Sequence, residues 1–171
     1  MIKFSVVRWK NLLSTGNEFT EVQLDKSETT CVYGQNGAGK STMMEALCYA
    51  LFKKPFRNIN IPLLVNNVNQ KNMLVEVEFE ISGKNYIVRR GLKPAIFEIF
   101  VNNELIPQSA NVFDYQENLE KNILRMNFKT FTQIVILGNA CFTPFMLLTT
   151  QARRDIIESL LDIDVFSRMN V

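Results

Sequence analysis

The sharpest pattern in the chain is a two-residue alternation from Leu74 to Ile81. Val75, Val77, Phe79 and Ile81 share one face, and Glu76, Glu78 and Glu80 share the other. That period predicts a half-buried strand, and its one-sidedness predicts antiparallel pairing with one wet face. Ser82-Gly83-Lys84-Asn85 turns the chain back into a strand over Tyr86–Arg90, and Phe97–Val101 forms another that turns at Asn102-Asn103. Upstream, Ile2–Trp9 and the less regular Phe19–Leu24 read as strands on either side of a polar, turn-like Lys10–Asn17. Thr29–Tyr33 is short, β-rich and mostly apolar, which predicts a buried strand.

Helical spacing appears first over Ser41–Phe52, where Met43, Met44, Ala46, Leu47, Ala50 and Leu51 recur on a helical period. The helix is expected to stop at Lys53-Lys54-Pro55, because the residue before a proline disfavours the helical region. Asn58–Asn72, with Pro62 and repeated asparagines, reads as an irregular connector. Asn111–Leu124 predicts a helix that buries Phe113, Leu119, Ile123 and Leu124. The apolar run in Phe131–Leu137 reads as a buried strand ended by Gly138-Asn139-Ala140. Thr149 and Thr150 are N-cap candidates for a last helix beginning near Gln151, with Ile156, Ile157, Leu160 and Leu161 on its apolar side.

Composition narrows the class. With 171 residues and 47% apolar content, the chain is long enough to bury a core and is not a disordered tail. The 13 phenylalanines suggest a tightly filled interface between sheet and helices. A net charge of +2, with no basic runs, says little about nucleic acid. The 3 cysteines lack C-x-x-C spacing, no secretory signal is visible and no apolar run approaches about 20 residues, so a cytoplasmic setting without a membrane is expected. There is no histidine, which removes the commonest proton shuttle.

The chemistry concentrates in Gly34-Gln35-Asn36-Gly37-Ala38-Gly39-Lys40-Ser41, which matches the phosphate-cradling pattern G-x-x-x-x-G-K-[ST] between a predicted strand and a predicted helix. Glycines let the backbone curl so that several N–H groups point at one anion, and the helix that follows adds its positive end. Lys40 is expected on the β- and γ-phosphates, and the Ser41 hydroxyl on Mg²⁺. The second acid that such ATPases use for the metal is not evident. Asp162 and Asp164 follow apolar positions in helical phase with Ile156 and Ile157, so they read as the solvated end of a helix. Glu76, Glu78 and Glu80 read as a solvated face. An incomplete ATPase unit fits these observations. The alternative is a stand-alone P-loop nucleotide kinase or GTPase-like enzyme, although neither a lid of clustered arginines nor an Asn-Lys-x-Asp guanine reader is found. Lys84, Arg89, Arg90 and Lys93 gather around the hairpin, either as a phosphate-facing DNA patch or as a charged strand edge that blocks pairing.

The ordered set of motifs resembles the N-terminal ATPase lobe of the SbcC-type, SMC-like DNA double-strand-break repair ATPases, and is closest to their bacteriophage branch. The set comprises Val7-x-x-Lys10-Asn11-Leu12, the glycine loop with Thr42, Met44-Glu45-Ala46-Leu47, and Leu51-Phe52-x-x-Pro55-Phe56-Arg57. It continues with Phe128-x-x-Phe131-x-Gln133-Ile134-Val135, Thr143-Pro144-Phe145-Met146 and Ala152-Arg153-Arg154. The resemblance implies an α/β fold, lobe I of an ABC-ATPase head, with a mixed sheet and an antiparallel β-meander. It implies an ATPase lobe over residues 1–150 and a helix over 151–171 that leads toward a coiled coil. ATP and Mg²⁺ are the implied cofactors. The implied partners are a C-terminal lobe of the same protein, a second head in an ATP-dependent homodimer, a nuclease subunit and DNA ends. In the family the metal-linked acid, catalytic glutamate, signature motif and switch histidine lie in the C-terminal lobe, so this chain alone is expected to bind ATP without turning it over. Asn36, Gly37, Gly39, Lys40, Ser41 and Thr42 match the phosphate-binding positions. Leu13 stands where many members carry a phosphate-touching arginine, with Ser14 and Asn11 as possible nucleotide neighbours. Alignment of the strand at Ile134–Leu137 puts Asn139, favoured over Gln133, at the position of the metal-reaching glutamine.

Overall fold

The alternation at Val75–Ile81 becomes the middle of a sheet. The computed structural model describes residues 2–107, 112–136 and 145–161. The chain divides into two units, Met1–Gln108 and Ser109–Val171. The first holds β1 (Ile2–Lys10), β2 (Thr20–Gln23), α1 (Thr42–Phe52), β3 (Met73–Ile81), β4 (Lys84–Leu92), β5 (Ile96–Val101) and β6 (Glu104–Leu105). The strands form one six-stranded sheet in the order β2-β1-β3-β4-β5-β6, with every pair antiparallel.

Register sorts the two faces. Val7, Val77, Val88 and Ile99 lie opposite one another across β1, β3, β4 and β5, and all are buried. α1 packs against β1, β3 and β4 and buries Ala46, Leu47, Tyr49, Ala50 and Leu51. Removing these side chains from water is the main driving force for this layer. Phe79 also stacks on Tyr86 with ring centroids 5.4 Å apart.

The other face carries an alternating charge row. Glu21, Arg8, Glu76, Arg89 and Glu98 are direct cross-strand partners across β2, β1, β3, β4 and β5. Arg8 donates to Glu21 and to Glu78, and Arg89 donates to Glu76 and to Glu98. The solvated glutamate face therefore needs correction at Glu76, which is buried beneath Arg8 and Arg89. The Glu21 hydrogen bond holds Arg8 above its ordinary pKa, and the Arg8 hydrogen bond holds Glu21 below its own.

The strand expected over Thr29–Tyr33 does not form. The segment takes no regular secondary structure and is exposed, with Tyr33 91% accessible, and among the described residues it belongs to no sheet. The mixed sheet expected from it is accordingly antiparallel throughout. An apolar run makes a strand only when a neighbouring backbone pairs with it, and nothing within the first unit does.

In the second unit, α2 (Val112–Glu117) runs on into a π-helical stretch, Asn118–Leu124, that buries Leu119 and Leu124. The strand expected over Phe131–Leu137 is overturned. Phe128–Ile134 is a helix, α3, whose N-cap Asn127 accepts a hydrogen bond from the Thr130 N–H at 2.9 Å. A short apolar run does not distinguish strand from buried helix, and the cap decides it here. Leu137 lies outside the described residues. α4 (Thr150–Leu161) packs on α3 and buries Ile156, whereas Ile157 and Leu161 of its expected apolar side are exposed. Thr149 Oγ1 accepts from the Ala152 N–H at 3.3 Å. No helix among the described residues is long and apolar enough to cross a membrane.

Candidate functional site

The glycine loop enters α1 through Gly37 and Gly39, at φ 85° and 91°. Side chains with a Cβ rarely adopt that region, so the curl depends on glycine. Ser41 is the N-cap of α1, but its side chain makes no capping hydrogen bond and is exposed. Among the described residues, the N–H groups of Gly37, Gly39, Lys40 and Ser41 make no backbone hydrogen bond. Unpaired donors at a helix N-terminus are a ready anion site.

These groups line a pocket of about 400 Å³ formed by Leu13, Ser14, Asn36, Gly37, Gly39, Lys40, Ser41, Thr42 and Arg57. All of the loop residues singled out in the sequence are therefore brought together. Lys40 Nζ donates to the carbonyls of Gly34 and Gln35 at 2.6 and 2.7 Å. An ammonium has three N–H donors, so one remains for a ligand. Thr42 is buried, and its N–H is spent on the Gly39 carbonyl at 2.9 Å. Among the described residues, neither Asp nor Glu lines the pocket. Unpaired amides, a held ammonium and an uncommitted hydroxyl suit the phosphates and metal of a nucleoside triphosphate.

The wall that carries Leu13 and Ser14 is stapled from behind. Leu13 N–H donates to Leu64 O at 2.6 Å, and Asn66 N–H to Asn11 O at 2.8 Å. Asn66 Nδ2 donates to the carbonyls of Leu13 and Thr15, both at 3.0 Å, while its Oδ1 accepts from the N–H groups of Val68 and Asn69. Asn11 is buried, bonding Asn17, Asn69 and the Asn72 carbonyl rather than lining the pocket. The irregular connector thus holds the pocket wall.

Arg57 is a pocket residue that the sequence offers only as part of a resemblance motif, with no site role. It reaches the pocket because Glu45 of α1 holds it, and no local period links two residues that far apart in the chain. Asn139 lies outside the described residues. Gln133 is half-buried in α3. The basic hairpin cluster does not survive. β4 is an inner strand rather than an edge. Arg89 is spent on Glu76 and Glu98, and Arg90 points to the opposite face, 3% exposed, donating to Ala50 O at 2.9 Å and lying 3.7 Å over the Phe97 ring. Burial in this layer also raises the Tyr49 phenol above its ordinary pKa.

The AAA domain family matches residues 7–165. Exonuclease subunit 2 of Escherichia phage RB69 is 44% identical over 168 residues, which covers 98% of this chain and 30% of that protein. The DNA double-strand break repair Rad50 ATPase of Methanococcus maripaludis is 27% identical, covering 95% of this chain and 16% of that protein. The chain thus spans under a third of the length of these relatives. A solved structure from work on ATP-driven dimerization and DNA-stimulated activation of SMC ATPases superposes at a TM-score of 0.63 and 18% identity, covering 92% of this chain and 99% of that one. At that identity the likeness shows the fold alone, an α/β arrangement with an antiparallel sheet.

Proposed function

Since the chain belongs to the AAA domain family, we propose that it is the ATP-binding half of a DNA-repair or recombination ATPase head that controls a partner nuclease on DNA ends. The observation that carries this reading is the pocket at the start of α1. There Asn36, Gly37, Gly39, Lys40, Ser41 and Thr42 converge beside unpaired backbone amides. Lys40 and the loop amides hold the phosphates, and Ser41 and Asn139 serve the metal. The likeness to an exonuclease subunit and to a Rad50 ATPase supports the nuclease partner and the DNA substrate. Residues 151–171 begin the helix toward a coiled coil, and the setting is the cytoplasm of a bacterial host.

The rest of the chemistry comes from outside this chain. The exposed apolar segment at Val32 and Tyr33 supports pairing with a C-terminal lobe. A second head then closes on the nucleotide, so that ATP acts as a conformational clamp.

Titration of the chain with a fluorescent ATP analogue in the presence of Mg²⁺ tests this. Binding is expected to be weak, to compete with ATP better than with GTP, and to disappear in Lys40→Ala. Turnover by the chain alone is expected to be negligible. Robust hydrolysis that Lys40→Ala abolishes would refute the half-site reading and favour a complete kinase-like or GTPase-like enzyme.

A further inference from the structure

Leu13 holds a backbone conformation that its side chain disfavours. Its φ is 53°, in the left-handed region. A Cβ there crowds the neighbouring carbonyl, so glycine and asparagine are the usual occupants. Among the described residues with a Cβ and a positive φ, Leu13 alone is apolar, the others being Asn, Gln, Ser, Lys or Arg. Hydrogen bonds fix this conformation on both sides of the residue. Leu13 N–H donates to Leu64 O at 2.6 Å, and Leu13 O accepts from Asn66 Nδ2 at 3.0 Å. One residue earlier, Leu12 N–H donates to Thr15 Oγ1 at 3.1 Å, and Thr15 N–H returns to Leu12 O at 3.0 Å. A sparsely populated conformation persists only where its surroundings over-determine it, and such positions gather at ligand clamps.

Core packing does not account for a leucine here. Leu12 fills the core at 0% exposure, whereas Leu13 is half-buried and lines the pocket. Of the described residues in that lining, Leu13 alone carries a wholly hydrocarbon side chain. The rest present hydroxyl, amide or cationic groups, or are glycines. A hydrocarbon side chain offers a phosphate no hydrogen bond and no charge. It does suit the carbon surface of a sugar and a base, whose removal from water is favourable. A pocket of about 400 Å³ has the size of a whole small-molecule site rather than of one anion.

Resting on the nucleotide reading above, we propose that Leu13 is the apolar contact for the nucleoside part of the ligand. Its side chain packs against the sugar–base portion, while Lys40 and the loop amides take the phosphates. The pinned, strained backbone sets this contact before the nucleotide arrives, so little further ordering is needed on binding. The position that the resemblance assigns to a phosphate-touching arginine thus carries a contact of opposite chemistry in this chain.

The test uses the full-length protein with Mg²⁺. ATP and inorganic triphosphate each compete against a fluorescent ATP analogue, and each variant is also unfolded thermally without nucleotide. Leu13→Ala is expected to weaken ATP binding about five- to twentyfold, the range for about two methylene groups no longer taken out of water. Inorganic triphosphate, which lacks the nucleoside, should keep its affinity within about twofold. Lys40→Ala should weaken both. Leu13→Gly should lose ATP affinity as Leu13→Ala does, yet unfold no lower than wild type, because glycine adopts this conformation without steric cost. A Leu13→Gly variant that unfolds well below wild type would make the side chain a packing residue and overturn the proposal. Equal weakening of ATP and triphosphate in Leu13→Ala would also overturn it. So would wild-type ATP binding by Leu13→Ala when Lys40→Ala does not bind, and both of these results leave the nucleotide reading intact. ATP binding unchanged in Lys40→Ala would overturn the nucleotide reading and the proposal together.

Discussion

Arg90→Met separates a buried anchor from a surface cation. Arg90 caps the C-terminal end of α1 by donating to the Ala50 carbonyl at 2.9 Å, and its guanidinium lies 3.7 Å over Phe97. Met keeps most of the apolar stem but has no donor and no charge. A hydrogen bond from a charged donor is worth about 1.5–3 kcal/mol, and a desolvated cation–π contact about 2 kcal/mol. A cation at a helix C-terminus adds about 0.3–1 kcal/mol. Relief from burying a guanidinium offsets part of this, which leaves a net loss of about 2–3 kcal/mol. Arg89→Met is the control. Arg89 is the next residue back on the same strand but half-exposed on the charged face, and its ion pairs with Glu76 and Glu98 are worth about 1 kcal/mol. Urea unfolding followed by fluorescence of Trp9, the chain's 1 tryptophan and a buried one, reads both variants. The reasoning fails if Arg90→Met stays within about 0.5 kcal/mol of wild type, the range of ordinary surface changes. It also fails if Arg89→Met costs more than Arg90→Met.

Asn66→Ala should cost about 2–3 kcal/mol, because it strips the carbonyls of Leu13 and Thr15 and the N–H groups of Val68 and Asn69 of their partner. It should also weaken nucleotide binding through the loosened wall, and an unchanged affinity would show that the staple is structural only. Asn127→Ala removes the α3 cap and should cost about 1 kcal/mol in thermal or chemical unfolding. Acid should weaken the charge row. The folded carboxyl of Glu21 lies below its ordinary value of 4.5, so its contribution is present above that pH and is lost as pH falls through the lowered value. Glu21→Gln should therefore flatten the acid limb of a stability–pH curve, and an unaltered limb would count against the assignment.

What the sequence could decide by itself was whatever depends on neighbours in the chain. The glycine loop needs its own glycines to curl, and it starts a helix whose apolar spacing is local, so Asn36 to Thr42 are legible as one site from the order of residues alone. The alternation in β3 and the Ser82–Asn85 turn likewise specify the hairpin with β4. The misreadings share one cause. Thr29–Tyr33 and Phe131–Leu137 are apolar runs whose form depends on what lies beside them. One lacks a pairing backbone within its unit, and the other is captured by the Asn127 cap. Charge was equally ambiguous. Arg89 and Arg90 look alike in sequence, but a strand sends consecutive side chains to opposite faces, and the tertiary structure decided that one pairs with glutamates while the other anchors a helix. The grip of Glu45 on Arg57 is also tertiary, since only the fold returns the chain after Pro55 to the first turn of α1. Local chemistry named the phosphate loop. Contacts between distant segments built the walls around it.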